Sequence, residues 1–307
     1  MDLQKIIAST LSILTTIPIY FLCKKFTSKY FAVFGSTIFA YDPRLIQDSL
    51  AGLNNSLYIL LVTISLLLFL NSDKRLKYIS FGLVGFSSIV RSEGLFLFFA
   101  LSIAYFIHYR KNRNALLRYG ILLTVFIITV LPIAVLRMET TGNDALAGRI
   151  ISEATHTSTA LSSTNDGIFN YIADTLKIFF RFLGIDLLPN FIFFVPIGIF
   201  LIFRKRNNEK ITLIVTLIVT VIPVLYAYSF PALDTKYFYP LYPIFCVLSS
   251  LAIQKYCEII PKPKFLLVIA TISIIVLSFI FLLMVSEFRL IGSRPSRSSM
   301  FMPFIWR

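Results

Sequence analysis

The pattern of hydrophobic and polar positions divides this chain into apolar segments joined by short polar connections. A helix needs about 20 consecutive apolar residues to cross the hydrocarbon layer of a membrane. Segments of this length or somewhat shorter recur along the whole chain, so we predict an all-α, polytopic transmembrane helical bundle in which some segments are short or re-entrant. The ten predicted segments are 6–22, 30–41, 56–70, 78–90, 95–107, 119–136, 188–203, 211–229, 237–253 and 265–285.

The polar connections alternate in net charge. Those with a net positive charge are 23–29, 71–77, 108–118, 204–210 and 254–264. Those that are neutral or negative are 1–5, 42–55, 91–94, 137–187 and 230–236. Because basic loops stay on the cytoplasmic side, we predict a multi-pass protein of the cell membrane with both termini outside. Residues 1–307 then form a single transmembrane domain, with an outer loop at 137–187.

Composition supports the membrane class and excludes two kinds of site. Hydrophobic residues make up 57% of the chain and charged residues 14%, with a mean hydropathy of +0.81. The net charge of +14 is spread over short clusters, whereas a nucleic-acid-binding protein gathers basic residues on one soluble face, so we expect no nucleic-acid partner. Cys23, Cys246 and Cys257 have no metal-ligand spacing and indicate neither a zinc site nor a disulfide framework.

Two neighbouring segments are too short to cross a membrane. Segments 78–90 and 95–107 have 13 residues each, which is about 20 Å of helix against roughly 30 Å of hydrocarbon. The connection 91–94 then lies below headgroup level. One long helix over 78–107 is the alternative, but it would place the basic connection 108–118 outside, so we predict a hairpin.

This connection holds two opposite charges, Arg91 and Glu93. A charge at this depth is stable only when it faces the bundle interior or a watery cavity and has a partner. Residues two apart on a helix do not face each other, so we expect at least one of the two to pair with another segment. The alternative is a buried ion pair that only fixes the packing.

The stretch 42–55 mixes charged and apolar residues after the short segment 30–41. Pro43 ends the preceding helix, because the residue before a proline avoids helical backbone. The following pattern predicts a re-entrant or interfacial helix on the outer side. This stretch carries the carboxylates of Asp42 and Asp48.

A charged, tyrosine-rich stretch from Asp234 to Pro243 precedes segment 237–253. Two prolines in it prevent a regular helix start, so we expect the Lys236 ammonium and three tyrosine hydroxyls at the membrane edge. An interfacial belt is one interpretation, since Tyr and Lys are enriched at headgroup level. The other is a clamp for an anionic, lipid-linked head group.

The outer loop 137–187 carries several acidic residues and one histidine, His156. A single histidine is weak support for a catalyst or metal ligand, so we interpret this part as a solvated loop. The amphipathic run from Ile168 to Leu183 is predicted to lie on the membrane surface.

Three stretches carry a family resemblance, in the same order along the chain. Residues 41–46 followed by 55–58 are similar to a "P-x-x-I … E-x-L-Y" motif, and 90–95 resembles an "R-P-E-G-L" turn. Residues 236–243 resemble an "R-Y-x-x-P-x-x-P" motif. Together they resemble the membrane region of the GT-C superfamily of glycosyltransferases, which includes dolichyl-phosphate-mannose protein mannosyltransferases and aminoarabinose transferases of bacterial lipid A.

The chain departs from this family at identifiable places. Asn55 stands where the family often has Glu, Ser92 where it has Pro, and Lys236 where it has Arg. The family carries a catalytic acidic residue on an outer loop after its first span. We find no such loop and expect it, with an odd number of spans, upstream of this chain.

The resemblance implies a bundle with an outward-facing cavity and a polyprenyl-phosphate-sugar donor. The expected activity is transfer of the sugar to an acceptor on the outer side, with membrane lipid as a further partner. A divalent metal is compatible with the family, although the sequence shows no ligand set. The alternatives are a degenerate member that binds lipid-linked sugar without turnover, and a lipid or solute transporter, which would favour internal repeats.

We expect roles for eight residues, six of them from the resemblance. We expect Arg91 and Lys236 at the donor phosphate, Tyr237 and Tyr239 at the lipid or sugar, Asp42 or Asp48 as the catalytic acid residue, and Glu93 and Asp234 in buried pairs.

Overall fold

The computed structural model describes residues 2–110, 114–141, 168–204, 207–228, 235–260 and 263–292. Every regular element in these ranges is helical, which confirms the all-α class. The elements are α1 (Asp2–Lys24), α2 (Lys29–Ala40), α3 (Pro43–Leu50), α4 (Asn55–Phe69), α5 (Lys74–Val90), α6 (Gly94–Tyr109), α7 (Ala115–Thr141), α8 (Ile168–Leu187), α9 (Phe194–Arg204), α10 (Asn208–Tyr228), a 3-10 helix (Thr235–Leu241), α11 (Tyr242–Ile259) and α12 (Pro263–Gly292).

Five stretches within the described residues are long and apolar enough to cross a membrane, so the chain is a helical membrane protein. They are Leu3–Lys24, Ala115–Leu136, Asn208–Tyr228, Lys236–Ile259 and Pro263–Met284. Three further apolar helices, α4, α6 and α9, are shorter. Predicted segments 30–41 and 78–90 are also helical, as α2 and α5, but neither is one of the five full-length spans.

Helices α5 and α6 form the predicted hairpin instead of one long helix. Helix α5 ends at Val90, and Arg91 has extended backbone with φ −147° and ψ 136°. Gly94 then begins α6 against the last turn of α5. A Cβ at Gly94 would lie 2.7 Å from the carbonyl carbon of Ser87, so only glycine allows this close approach. The resulting tight turn places residues 91–93 at one end of the hairpin and the start of α5 at the other.

Helix α11 is the centre of the bundle. The span that contains it is 83% buried, whereas the other four spans are 11–39% buried. It packs against α1, α2, α9 and α12. Small residues permit this contact, since Gly35 of α2 lies directly against Cys246 and Ser250 of α11. Because α11 is surrounded by other helices, the 3-10 helix that precedes it lies in the protein interior as well.

The predicted irregular start of this span is confirmed. The 3-10 helix contains Pro240, and α11 begins at Tyr242 with Pro243 in its first turn. Each proline lacks a backbone donor and crowds the turn before it, so a continuous α-helix cannot pass through both.

The predicted outer loop 137–187 is partly helical. Helix α7 continues to Thr141, and α8 covers the amphipathic run and extends it to Leu187. The ring of Phe182 in α8 stacks on Tyr228 of α10, with centroids 5.1 Å apart. An amphipathic helix buries its apolar face, and α8 does so against the bundle.

Candidate functional site

Stretches 42–55, 91–94 and 235–242 meet at one end of the bundle, and the C-terminal end of α8 joins them there. Hydrogen bonds and ion pairs connect their side chains. We call this set the polar network; its members are Asp42, Arg44, Asp48, Asn55, Arg91, Glu93, Asp186, Tyr239 and Tyr242. The three stretches that carry the family resemblance are therefore neighbours in the folded chain.

Arg91 lies in the middle of the first branch of the network. Its Nη2 is 2.7 Å from Glu93 Oε1, and its Nη1 donates to Asn55 Oδ1 at 2.6 Å. The guanidinium also lies over the ring of Tyr58, at 5.6 Å from the centroid. The side chains of Arg91 and Glu93 are 10% and 15% exposed. The two charges thus face each other because extended backbone at Arg91, and not a helix, joins them.

The prediction that Arg91 and Glu93 do not face each other is wrong, whereas the predicted partner from another segment is present. Two residues that cannot face each other on a helix do pair here, because α5 has already ended. The expected partner from another segment is also present, and it is Asn55 of α4.

Asn55 joins the cationic and acidic parts of this branch. Its amide oxygen accepts from Arg91, while its Nδ2 donates to Asp48 Oδ2 at 2.8 Å. The hydroxyl of Tyr239 donates to the same carboxylate oxygen. An amide both accepts and donates, whereas an ionised glutamate only accepts. The asparagine therefore fits a position between a guanidinium and a carboxylate, where glutamate would repel Asp48.

A second branch is built around Asp186, the penultimate residue of α8. Arg44 Nη1 lies 3.3 Å from Asp186 Oδ1, and Arg44 Nη2 donates to the Ile185 carbonyl. The hydroxyl of Tyr242 donates to Asp186 Oδ1 at 3.2 Å. The side chain of Asp186 is fully buried, and that of Arg44 is 12% exposed. The ring of Tyr242 lies 5.3 Å from that of Tyr239, which brings the two branches side by side.

Asp42 caps α3 and is completely buried. Its Oδ1 accepts from the backbone N–H groups of Arg44 and Leu45, each at 3.1 Å. These bonds satisfy two of the free donors at the start of a helix, and Pro43 at the first position needs none. Local sequence thus explains why α3 begins at this point and why the carboxylate points inward.

Three buried polar atoms in or beside the polar network have no hydrogen-bond partner among the described residues. They are Asp42 Oδ2, Asp186 Oδ2 and the hydroxyl of Tyr58. Buried polar groups are almost always hydrogen-bonded in native proteins. Two carboxylate oxygens and a hydroxyl therefore have unused hydrogen-bonding capacity.

Burial and neighbouring charges shift the pKa values of the carboxyl groups at this end of the bundle. Burial raises the pKa of Asp42 to about 6 and the pKa of Asp186 to about 7, although Arg44 opposes both shifts. Burial alone would also raise the pKa of Glu93, but the hydrogen bond and charge of Arg91 hold it below its usual value. Asp42 and Asp186 thus hold their protons more tightly than free aspartates do.

Lys236 and Tyr237 lie beside the first branch. Both are half-buried, and the Lys236 ammonium lies 5.6 Å from the centroid of the Tyr237 ring. Lys236 is close enough to Glu93 for its charge to contribute to the lowered pKa of that carboxylate. Arg91 and Lys236 thus both lie near Glu93.

The prediction that three tyrosine hydroxyls face the membrane edge is wrong for two of them. Tyr239 is 2% exposed and Tyr242 is fully buried, because the 3-10 helix lies inside the bundle. Only Tyr237 retains partial exposure. Asp234 and His156 lie outside the described residues, so their predicted roles remain predictions.

Sequence reasoning missed three members of the network. Arg44 was counted only as a charge on α3, Tyr242 only as part of a motif, and Asp186 only as one of several acids in a loop. Only one signal set Asp186 apart from the other acids. It lies at the end of an amphipathic helix, just before an apolar segment. Nothing in the sequence pairs it with Arg44, which is 142 positions away.

The described residues contain no group of three His, Cys, Asp or Glu side chains that could hold a metal ion. The described side chains at this end therefore do not form a metal-ligand set. Comparison of the chain with protein-family models and with curated proteins finds no match.

Proposed function

We propose that this chain is a GT-C-type membrane protein that binds a polyprenyl-phosphate-linked sugar at the polar network and transfers the sugar to an acceptor. The proposal includes about ten membrane segments, with both termini and the network on the outer side of the cell membrane. The alternating charge of the connections supports this orientation.

The observation that carries the proposal is the division of the site into a cationic and an acidic part. Arg91 and Lys236 outnumber Glu93 in one part, and Asp42, Asp48 and Asp186 outnumber Arg44 in the other. A lipid-linked sugar has the matching order of charges, because an anionic phosphate joins the lipid to a ring of hydroxyl donors. The unpartnered oxygens of Asp42 and Asp186 are acceptors for such hydroxyls.

The cationic part and the acidic part of the site each contribute to the transfer of the sugar. The guanidinium and the ammonium stabilise the phosphate as it leaves with the lipid. Asp48 is the stronger candidate for the base that deprotonates the acceptor, because it is only partly buried, whereas Asp42 is enclosed and caps α3. The bond from the sugar to the phosphate oxygen breaks, and the bond to the acceptor oxygen forms.

Binding without turnover is the second candidate, and the burial of the acidic side favours it. Asp42 has no exposed surface, and Asp48 already accepts hydrogen bonds from Asn55 and Tyr239. An enclosed carboxylate is not accessible to the acceptor, and a carboxylate oxygen that already accepts two hydrogen bonds is less available for the acceptor's proton. In this case the polar network would hold the donor only.

Donor binding is tested at Lys236. Lys236→Gln should weaken polyprenyl-phosphate binding by roughly 1.5–3 kcal/mol, the usual contribution of a hydrogen bond to a charged group. Lys236→Arg should retain most of the affinity, since arginine also binds phosphate. Native mass spectrometry in detergent, with polyprenyl phosphate and bulk anionic lipid in competition, measures both variants.

Lys255→Gln is the matched control, because it removes the same charge from the last part of α11, where the lysine forms an exposed pair with Glu258. Equal affinity in wild type, Lys236→Gln and Lys255→Gln would assign Lys236 to an interfacial belt and refute the donor clamp. Transfer of a radiolabelled sugar from the lipid donor then separates the two candidates. A transferase loses transfer but keeps binding in Asp48→Asn, whereas a binding protein shows no transfer in any variant.

A further inference from the structure

The far end of the α5–α6 hairpin holds a second group of charged residues, away from the polar network. Lys74 and Lys77 lie in the first turn of α5, whereas Arg91 directly follows its last residue. A helix of 17 residues separates these ends by about 25 Å. Tyr109 ends α6, and Arg118 lies in the first turn of α7, both beside the start of α5. We call the space between these residues the basic cleft.

The basic cleft has an empty volume of about 250 Å³, including its open mouth. Lys74, Lys77 and Arg118 line it together with the tyrosines Tyr78, Tyr105 and Tyr109. Ammonium, guanidinium and hydroxyl groups are all hydrogen-bond donors, so together they suit the phosphate of one head group at the open mouth of the cleft.

Lys77 shows that the cleft is more than a set of solvated surface charges. This residue is 8% exposed, and its ammonium donates to the Tyr109 hydroxyl at 2.8 Å. The ammonium also lies 4.8 Å from the ring centroid of Tyr109 and 5.4 Å from that of Phe69. It is thus held in place by two aromatic rings and one neutral oxygen.

No carboxylate among the described residues lies within 4 Å of the Lys77 ammonium. An ammonium has three donors, and the structure gives this one a single acceptor among the described residues. The nearest acid along α5 is Asp73, whose carboxylate accepts from the backbone N–H of Arg75 at 2.9 Å. Buried charges are normally paired, and the described residues do not provide a charged partner for Lys77.

We propose that the basic cleft binds the phosphate of an anionic membrane lipid head group between Lys77, Lys74 and Arg118. A phosphate brings several acceptor oxygens to the ammonium and guanidinium donors, and it supplies the missing negative charge. The cleft lies where α5 begins and α6 ends, beside the basic connection 108–118, and such connections of a membrane protein lie at the level of the lipid head groups. Basic pockets between membrane helices bind anionic head groups in this way.

The test measures selectivity for an anionic over a zwitterionic phosphate. Native mass spectrometry of the full chain in detergent should show phosphatidylglycerol binding at least roughly tenfold more tightly than phosphatidylcholine, because one charge-assisted hydrogen bond contributes about this factor. Lys77→Met and Arg118→Gln should each reduce phosphatidylglycerol binding to the phosphatidylcholine level. Lys264→Gln, at an exposed lysine in the first turn of α12, removes the same charge outside the cleft and should leave the preference intact.

A second arm separates a lipid from a free anion. Radiolabelled inorganic phosphate in equilibrium dialysis should compete with phosphatidylglycerol only at much higher concentration, because it lacks the membrane anchor. Saturable phosphate binding that Arg118→Gln abolishes, without a preference between the two lipids, would assign the cleft to a free anion and overturn the lipid source. Equal phosphatidylglycerol binding by wild type, Lys77→Met and Arg118→Gln would overturn the site itself. Arg118 lies at the mouth and is half-buried, so its substitution tests the cleft even if Lys77→Met fails to fold.

Discussion

The two ends of the α5–α6 hairpin both bury a cation, but they neutralise it differently. At the polar network Arg91 pairs with Glu93 at 2.7 Å and with Asn55 at 2.6 Å. At the basic cleft the Lys77 ammonium contacts only the Tyr109 hydroxyl and two aromatic rings among the described residues. The first cation is part of a connected set of charges, and the second is not.

This difference separates what a substitution does to stability from what it does to binding. Removal of one partner from a buried pair leaves the other charge uncompensated, which is costly. Removal of a buried charge that has no charged partner leaves nothing uncompensated. The polar network should therefore react strongly to single substitutions, and the basic cleft should tolerate them while losing its ligand.

The largest expected effect is at Glu93. Glu93→Ala leaves the Arg91 guanidinium buried with only a neutral partner, so we expect a loss of about 3–5 kcal/mol in the free energy of unfolding. A denaturation curve in detergent measures it. The control is Glu258→Ala, which breaks the exposed pair with Lys255 and should cost only about 0–1 kcal/mol. Equal losses in the two variants would show that the turn at 91–93 is solvated.

The next effect concerns the pH dependence of stability and originates from Asp42. Burial raises its pKa from 3.8 in the unfolded chain to about 6 in the folded one. The folded state then binds more protons than the unfolded state between these values, so the contribution of Asp42 is complete below about pH 4 and is lost as the pH rises through 6. The raised pKa of Asp186 likewise makes the protein less stable as the pH rises to about 7.

Asp42→Asn should therefore flatten the fall in stability between pH 4 and pH 6, by on the order of 2 kcal/mol over this range. Melting temperatures of wild type and variant across this interval measure the slope. Asp73→Asn is the matched control, because Asp73 caps α5 as Asp42 caps α3 but is exposed at the other end of the hairpin. An unchanged slope in Asp42→Asn would mean that water reaches this carboxylate.

The smallest expected effect is at Lys77. Lys77→Met removes a buried ammonium and one hydrogen bond to Tyr109 while it keeps most of the side-chain volume. The lost hydrogen bond and the relieved desolvation oppose each other, so the free energy of unfolding should change by no more than about 1 kcal/mol. Chemical denaturation in lipid-free detergent measures the change. A loss as large as that of Glu93→Ala would show that Lys77 has a charged partner within the protein.

The all-α membrane class was predictable, because hydrophobic runs of helical length have few other solutions in a membrane. The hairpin at 78–107 followed from segment length and loop charge, and the structure confirms it. The polar network was predictable only in part. Arg91, Glu93, Asp42 and Asp48 were identifiable as charges in apolar surroundings, whereas Asp186 and Tyr242 became apparent only through their contacts.

The sequence by itself determined the membrane class, the approximate positions of most helices, and which charges need a partner. Hydrophobicity, prolines and capping residues act locally, so these features can be found by inspection of short windows. The tertiary structure decided which charges are paired, since Asp48 meets Tyr239 across 191 positions and Arg44 meets Asp186 across 142. It also decided that Tyr239 is buried, because the packing of other helices around α11 encloses the residues before it. A side chain pairs with a residue that is close in space, and the separation along the chain does not determine that distance.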